Sequence, residues 1–309
     1  MRVLVTGGCG FIGSHLVGEL AGRGFTVTVL DDLSLGSPLN VEGLDVELVK
    51  GDSELVSSMD GRFDVVFHNG IPSSSPMYKG DPQLVSKAVR GVISVLEYAR
   101  RRGAKVVLAS TSSLYNGNPT PWREGMEVKV TDLYTEARLY CERLCELYSR
   151  LYGVECVALR YFSVFGEREE HKGSYANVLT QMLWSALRGQ EFAVYGDGRQ
   201  SRDLIYVGDV VEANLKAADF NDYSAGVKFE VFNVGSGRAY SFNEMAGLLR
   251  GQGLNVKVIY RENPVSNYVW HTLADMKKSA ELLEFRPRRR VEEVLPRIVS
   301  YYARALKVT

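Results

Sequence analysis

No excess of either charge is present in this sequence, whose 309 residues carry 37 basic and 37 acidic side chains. Proteins that bind nucleic acids usually have a basic excess, so this balance argues against that class. Disordered chains combine low hydrophobicity with a high net charge, whereas 45% of the residues here are hydrophobic. The sequence therefore predicts a folded protein that does not bind nucleic acid.

Cysteine and long apolar runs are also scarce. The chain has four cysteines, and they do not form a zinc-ligand set because the pair Cys141 and Cys145 has no second pair to complete it. We therefore expect buried thiols in a reducing compartment and no metal site. No apolar run reaches the ~18–20 residues of a membrane-spanning helix, and the first residues have the pattern of a strand rather than of a signal peptide. These absences predict a cytoplasmic protein that makes no membrane contact.

Short apolar runs alternate with helical patterns, which is typical of an α/β fold with a doubly wound parallel sheet. The helices are expected at residues 14–23, 83–102, 134–152 and 175–188, and the strands at residues 2–6, 26–30, 46–49, 64–67, 105–108, 155–160 and 229–234. The alternation becomes weaker after about residue 166. We therefore expect a Rossmann-type domain over residues 1–165, with later returns near 203–236, and a smaller C-terminal lobe mainly over residues 166–309.

A glycine-rich turn connects the first predicted strand to the first predicted helix. Its glycines are Gly7, Gly10 and Gly13, and Phe11 and Ile12 lie between the last two. In such a turn the first glycine makes the tight bend, the middle one lets the backbone approach a pyrophosphate, and the last allows close helix packing. The phosphates then lie at the N-terminus of the helix. The turn therefore predicts a dinucleotide site.

Two acids at the end of the second strand indicate which dinucleotide is bound. Asp31 lies 18 residues after Gly13, close to the ~20 residues expected for the acid that bonds the ribose hydroxyls. A 2′-phosphate would be repelled there, and no lysine or arginine occurs between Asp32 and Lys50 to receive it. The sequence therefore predicts NAD rather than NADP. Asp52, after the third strand, is either an adenine contact or part of a surface turn.

A tyrosine and an arginine indicate the chemistry. Tyr134 and Arg138 lie four residues apart, on one face of a predicted helix, and the hydroxyl-rich run 110–113 follows the fifth strand. A cation beside a phenol favours the phenolate, which can take a proton from an alcohol while a nicotinamide takes the hydride. Alone, this pair is more typical of an ordinary helix surface. Together with the glycine turn, it predicts a site for alcohol oxidation.

These motifs together resemble the extended short-chain dehydrogenase/reductase family, specifically its nucleotide-sugar epimerases and dehydratases. The glycine spacing matches the family pattern G-x-x-G-x-x-G, and residues 134–138 lie where the family has Tyr-x-x-x-Lys. Residues 159–168, 195–209 and 232–237 are similar to the family segments LRYFNVYGPR, YGDG…RDFIYVDD and FNVGTG. The resemblance covers nearly the whole chain and implies the Rossmann-type fold, an NAD cofactor and a nucleotide-sugar substrate.

The resemblance also implies roles for individual residues. Tyr134 would be the acid/base, Arg138 would replace the family lysine, and Thr111 would orient the substrate hydroxyl. The implied cofactor contacts are Gly7, Gly10, Phe11, Ile12, Gly13, Asp31, Asp32, Ser34, Asp52, Ser53, Gly70, Tyr134, Arg138 and Tyr161. The implied substrate contacts are Ser74, Tyr195, Asn177 and Arg202, of which the last two would contact the diphosphate.

Several positions depart from the family pattern. Arg138 replaces lysine, Ala88 and Ser163 replace asparagines, and Asn69 stands in a segment where many members have FHLA. Arginine keeps the positive charge but places it differently. These departures leave open a member that binds NAD and a nucleotide sugar without turnover. A dehydrogenase with net hydride transfer is a further alternative.

The resemblance favours a UDP-glucose/UDP-galactose 4-epimerase, with ADP-heptose 6-epimerases as the alternative. Residues 170–174 resemble the heptose enzymes, in which a lysine at the position of Lys172 is a second base, and residues 267–275 have a similar counterpart. Dehydration is disfavoured because residues 111–113 lack the two required acids. Most family members pair through two long helices, so a homodimer through residues 83–102 and 134–152 is expected.

Overall fold

The computed structural model describes residues 1–223, 226–264 and 268–307. Within these ranges, a central sheet is formed by the strands β1 Arg2–Thr6, β2 Thr26–Asp31, β3 Val46–Lys50, β4 Val65–His68, β5 Lys105–Thr111, β6 Cys156–Tyr161 and β10 Phe229–Val234. These seven strands are parallel and have the order β10-β6-β5-β4-β1-β2-β3. The predicted α/β fold with a doubly wound parallel sheet is confirmed.

Helices cover both faces of this sheet. They are α1 Phe11–Gly22, α2 Ser75–Gly80, α3 Leu84–Arg102, α4 Leu133–Tyr152 and α6 Val207–Asp219. Successive side chains of a strand point to opposite faces, so Val3 and Val5 pack with Leu16 of α1, while Leu4 packs with Val92 of α3. Both faces are therefore buried, which explains the nearly continuous apolar strands.

The strand order reverses between β1 and β4, which are neighbours in the sheet although two strands separate them in the chain. Ligands of open α/β sheets bind at the carboxyl ends of the strands beside such a reversal. The topology therefore places the expected binding crevice beside the turn that follows β1.

Most of the remaining elements form a smaller lobe with its own core. They are β7 Ser163–Phe165, β8 Glu191–Tyr195, β9 Ser201–Tyr206, β11 Ala239–Ser241, β12 Lys257–Arg261, α5 Val178–Leu187, α7 Phe242–Gly251 and α9 Val291–Ala305. The short helix α8 Lys277–Glu281 packs instead against β10 of the central sheet. The strands form two small sheets with the orders β11-β9-β7 and β12-β8. The core includes Leu183, Met245 and Leu295. The predicted domain boundary at residue 165 stays a prediction.

Two helix starts differ from the predicted ones by three residues. The first helix begins at Phe11 rather than at residue 14, so its first turn includes a glycine of the motif. The helix predicted from residue 175 begins at Val178, because Asn177 caps it and residues 170–175 form a separate 3₁₀ helix.

Two further predictions concern the segment that contains Asn267 and the absence of a membrane-spanning helix. The second segment that resembles the heptose enzymes begins at Asn267, which lies outside the described residues. No helix in the described part of the chain is long and apolar enough to cross a bilayer.

Candidate active site

A cavity of about 340 Å³ opens at the carboxyl ends of the central strands, where the strand order reverses. It brings together residues that lie far apart in the sequence. The predicted cofactor and catalytic residues that line it are Gly7, Gly10, Phe11, Ile12, Gly13, Asp31, Asp32, Ser34, Asp52, Ser53, Gly70, Thr111, Tyr134, Arg138, Tyr161 and Lys172. The cavity therefore collects the predicted dinucleotide and catalytic residues in one place.

The four predicted substrate residues, all within the described ranges, do not line this cavity. Asn177 caps α5, since its side-chain oxygen accepts from the amide of Leu179 at 2.9 Å and its amide group donates to the carbonyl of Val164 at 3.0 Å. Ser74 has a buried hydroxyl without a hydrogen-bond partner among the described residues, and Tyr195 is partly exposed. Their substrate roles, like that of Arg202, stay predictions.

The glycine turn leaves no room for side chains. Gly7 has a φ of +66°, and a Cβ there would lie 2.8 Å from the backbone nitrogen of Gly70. A Cβ at Gly13 would collide with the carbonyl oxygen of Gly7. The N-cap residue of α1 is Gly10, which offers no side-chain hydrogen bond, so the first amides of the helix are free for an anion. This cradle fits a dinucleotide pyrophosphate.

The acids after β2 have different environments. Asp31 is buried and accepts from the amides of Cys9 and Leu33, both at 2.8 Å, so it ties the glycine turn to β2. Burial raises the pKa of Asp31 above its ordinary value, although these bonds oppose the shift. Burial also raises the pKa of Asp32, but the hydrogen bonds from Lys87 and Ser34 together lower it by more. The pKa of Asp32 therefore lies below its ordinary value.

Lys87 lines the same cavity and was missed by the sequence reasoning. Its Nζ lies 2.6 Å from Oδ2 of Asp32, although 55 residues separate the two. No lysine or arginine follows β2 directly in the sequence. The cation that pairs with Asp32 is supplied instead by the first turn of α3. The signal that could have found Lys87 is its place near the start of a helix that follows a sheet strand, since such a helix begins at the binding edge.

Tyr134 and Arg138 lie in the first two turns of α4. The helix start is fixed by a capping box in which Asp132 accepts from the amide of Thr135 at 2.8 Å. The guanidinium carbon of Arg138 lies 5.4 Å from the centre of the Tyr134 ring. Both side chains are buried. The fixed helix start therefore holds the phenol and the cation beside each other at the cavity wall.

Arg138 also binds three backbone carbonyls. Its guanidinium donates to the carbonyl of Ala109 at the end of β5, to that of Pro72 at 3.0 Å and to that of Ile71 at 3.4 Å. A lysine ammonium is a compact charge and does not have this planar set of donors. Arg138 therefore joins the segment after β4 to β5 in addition to placing a charge beside Tyr134.

Beneath this wall lies a buried ion pair that sequence reasoning also missed. Arg160 donates to both oxygens of Glu142, at 3.0 Å and 2.6 Å, and Ser110 donates to the same carboxylate. Glu142 lies on α4 four residues after Arg138, so its helical spacing was the available signal. The network connects the catalytic helix to β5 and β6, and therefore supports the position of Thr111, which ends β5.

Lys172 reaches the cavity from the smaller lobe. It lies in the 3₁₀ helix Glu170–Tyr175, and its Nζ is 5.3 Å from the centre of the Phe11 ring. Its charge partner is Glu169, at 4.0 Å, a longer distance than a hydrogen bond. Burial raises the pKa of Glu169, and Lys172 opposes that shift. The structure thus places a loosely paired cation beside Phe11 of the glycine turn.

Known proteins are similar to this chain in sequence and in fold. Residues 3–235 match the NAD dependent epimerase/dehydratase family. A protein of Methanocaldococcus jannaschii named "Putative UDP-glucose 4-epimerase" is 33% identical over 315 aligned residues, covering 97% of each chain. A UDP-N-acetyl-alpha-D-glucosaminuronate decarboxylase of Bacillus cytotoxicus is 33% identical over 259 residues, 79% of this chain and 78% of that protein.

A solved structure extends the similarity to nearly every element. The UDP-glucose 4-epimerase of Thermotoga maritima, crystallised with UDP-glucose, superposes with a TM-score of 0.91 at 31% identity, over 99% of this chain and 100% of the other. The family match covers well over half of the chain, and the glycine cradle fits a dinucleotide. The chain therefore belongs to the NAD dependent epimerase/dehydratase family, and its cofactor is NAD.

Proposed function

We propose that the protein is an epimerase that inverts C4 of a UDP-sugar, with UDP-glucose and UDP-galactose as the first candidates. The relative from Methanocaldococcus jannaschii and the enzyme from Thermotoga maritima carry this activity in their names, and the latter was crystallised with UDP-glucose. The decarboxylase among the relatives indicates that the family also includes another reaction on a UDP-sugar. The proposed activity therefore has to be argued from the groups in the cavity as well as from the relatives.

One observation carries the proposal: Tyr134, Arg138 and Thr111 line the same cavity as the glycine turn. A phenol, a cation and a hydroxyl beside a dinucleotide cradle are the groups that alcohol oxidation requires. The chemistry that bound NAD supplies is reversible acceptance of a hydride. The protein groups have to move the proton and hold the sugar.

Tyr134 takes the proton from the 4-hydroxyl of the sugar and returns it at the end of the cycle. Arg138 keeps a positive charge beside the phenol, since its guanidinium carbon lies 5.4 Å from the centre of the Tyr134 ring. In this proposal Thr111, at the end of β5, holds the same hydroxyl, and its Oγ1 already accepts from the amide of Ser113 at 3.2 Å. Inversion requires the oxidised sugar to present its other face before it is reduced. The cycle is redox-neutral, so NAD need not leave.

Arg202 supports a nucleotide diphosphate as the recognition element. Its guanidinium carbon lies 5.3 Å from the ring centre of Phe242 and 5.7 Å from that of Tyr268. It donates to the carbonyls of Ser201 and Trp270, and no acid within the described ranges pairs with it. Burial lowers the pKa of Arg202. A cation held between rings without an acid is suited to an anionic ligand.

A homodimer through α3 and α4 is part of the proposal. The outer face of α4 exposes Tyr140, Leu147 and Leu151, and α3 exposes Ile93. The α4 residues are spaced by seven and four positions, so they form one apolar stripe along the helix. Two such helix pairs packed together would cover these side chains.

A second candidate function is 6-epimerisation of an ADP-heptose. It is favoured by Lys172, which lines the cavity that also contains Tyr134. In this reaction Lys172 would act as the second base. A purely binding role is the further alternative, since Arg138 replaces the family lysine and is bonded to carbonyls.

The experiment separates these functions by their products. Purified protein is incubated with NAD and, in separate reactions, with UDP-glucose, UDP-galactose, UDP-N-acetylglucosamine and ADP-heptose, and the sugar stereochemistry is read by NMR. We expect inversion at C4 of a UDP-sugar and no product from the Tyr134→Phe variant. Inversion of the heptose alone would favour the second candidate. No inversion in the parent, but turnover in the Arg138→Lys variant, would favour the binding role.

A further inference from the structure

Residues 166–172, here called the crossing segment, lie across the start of α1. His15 donates from Nε2 to the carbonyl of Glu167 at 3.0 Å, and Arg168 donates to the carbonyl of Ser14 at 3.3 Å. Gly166 approaches Phe11 so closely that a Cβ on it would lie 3.4 Å from the ring. The segment is therefore attached to the helix whose N-terminus forms part of the glycine cradle.

The crossing segment ends at Lys172, whose ammonium lies above the ring of Phe11, the first residue of α1. The first turn of this helix contains no acidic residue, and Gly10 offers it no side-chain cap. The first amides and the positive end of the helix dipole therefore face the cavity. Lys172 adds a full positive charge beside this first turn.

Within the described ranges, the basic residues that line the cavity are Lys87, Arg138 and Lys172. Lys87 is bonded to Asp32 at 2.6 Å, and Arg138 donates to carbonyls. The charge partner of Lys172 among the described residues is Glu169, at 4.0 Å. Of these cations, Lys172 is therefore the one whose donors stay available for a ligand.

Glu169 holds Lys172 without using up its donors. The carboxylate accepts from the amide of Gly166 at 3.2 Å, from the hydroxyl of Thr180 at 2.6 Å and from the amide of Asn177 at 2.7 Å. These bonds occupy both carboxylate oxygens and fix the crossing segment to α5. A ligand phosphate can then compete for the ammonium of Lys172 at a small cost.

We propose that Lys172 binds the pyrophosphate of NAD together with the N-terminus of α1, and thereby retains the dinucleotide through the catalytic cycle. The proposal rests on the proposed function, because retention of the cofactor has value only where the reaction is redox-neutral. An ammonium and a helix N-terminus that both contact a diphosphate form a charge-assisted clamp. This role differs from that of a second base, which acts on the sugar.

The test measures binding in the absence of any sugar. Titration calorimetry compares NAD, ADP-ribose and adenosine on the parent protein and on the Lys172→Met variant. We expect the Kd of NAD and of ADP-ribose to rise about tenfold or more, since one charge-assisted contact is lost, while adenosine binding is unchanged. The Kd of NAD should also become less dependent on salt. The Lys172→Arg variant should recover most of the affinity.

Lys277→Met is the matched control, because Lys277 is an exposed lysine that does not line the cavity. An unchanged Kd of NAD in Lys172→Met would overturn the proposal. Equal losses for adenosine and ADP-ribose would overturn it as well, since they would indicate a general defect of the fold. Because no sugar is present, the result does not depend on whether the epimerase assignment holds.

Discussion

Lys87 and Asp32 form an ion pair with a distance of 2.6 Å at the rim of the dinucleotide cavity, across 55 residues of sequence. Asp32 directly follows Asp31, which ends β2 at the position expected to meet the adenosine ribose. We therefore expect Lys87 to lie near the position that the 2′-phosphate of NADP would take. Asp32 pairs with Lys87 and neutralises its charge, so that Lys87 does not attract a phosphate.

The first prediction concerns this choice of dinucleotide. Asp32→Asn removes the acid but leaves Lys87, so the affinity for NADP relative to NAD should rise about tenfold, equivalent to about 1.4 kcal/mol. Calorimetric titration with both dinucleotides measures the ratio. The double variant Asp32→Asn with Lys87→Met should lose the gain. An unchanged ratio in the single variant would show that Lys87 does not face the 2′ position.

The cofactor half of the site could be predicted from the sequence because its signals are local. The spacing of Gly7, Gly10 and Gly13 reports a backbone conformation that few other residues allow, and Asp31 follows at a fixed distance along the chain. The parallel sheet was predictable for a similar reason, since apolar strands buried on both faces leave a pattern in the sequence.

The partners of charged side chains could not be predicted, because they are set by tertiary packing. Nothing in the sequence near Arg138 shows that its guanidinium binds the carbonyls of Ala109 and Pro72. The positions of Lys87 and Lys172 likewise depend on how α3 and the crossing segment meet the sheet. Contacts of this kind join residues that are far apart in the sequence, and no periodic pattern in the sequence marks them.

The second prediction concerns Arg138. Replacing it with lysine keeps the charge beside Tyr134 but removes hydrogen bonds to the carbonyls of Ala109, Ile71 and Pro72. Buried carbonyls that lose a charged donor cost about 1.5–3 kcal/mol each when unpaired. We expect Arg138→Lys to lower the free energy of unfolding by about 2 kcal/mol or more, measured by urea denaturation. Unchanged stability would contradict a role in joining the segment after β4 to β5.

The third prediction concerns the oligomeric state. Leu147 on α4 is 47% exposed and lies between Tyr140 and Leu151 on one face. A buried charge at the centre of an interface has no partner, so Leu147→Asp should convert the expected dimer into a monomer in sedimentation velocity runs. Leu39→Asp is the control, because Leu39 is 72% exposed and lies outside both helices. A parent protein that is monomeric at micromolar concentration would refute the expected pairing.

The fourth prediction concerns pH. His68 is buried, its Nδ1 lies 2.8 Å from the hydroxyl of Thr6, and burial, with a smaller effect of Arg138, lowers the pKa of His68 to about 3. The unfolded chain binds a proton at this residue near pH 6.5 and the folded chain does not. Stability should therefore fall as the pH decreases below about 6.5, by up to about 1.4 kcal/mol per pH unit from this group.

The His68→Gln variant isolates this effect, since glutamine keeps a polar group but does not titrate. Urea denaturation between pH 7.5 and 5 should give a shallower loss of stability for the variant than for the parent. Equal slopes would show that His68 is protonated in the folded protein within that range.

In the proposed reaction Tyr134 takes the proton of the 4-hydroxyl of a UDP-sugar, and the hydride that NAD would accept from C4 returns to the same carbon. The most direct measurement uses UDP-glucose that carries deuterium at C4, followed by NMR and mass spectrometry of the product. The account predicts UDP-galactose that retains the deuterium at C4, and no product from Tyr134→Phe. Product in which the deuterium has been lost to solvent, or full activity in the tyrosine variant, would contradict it.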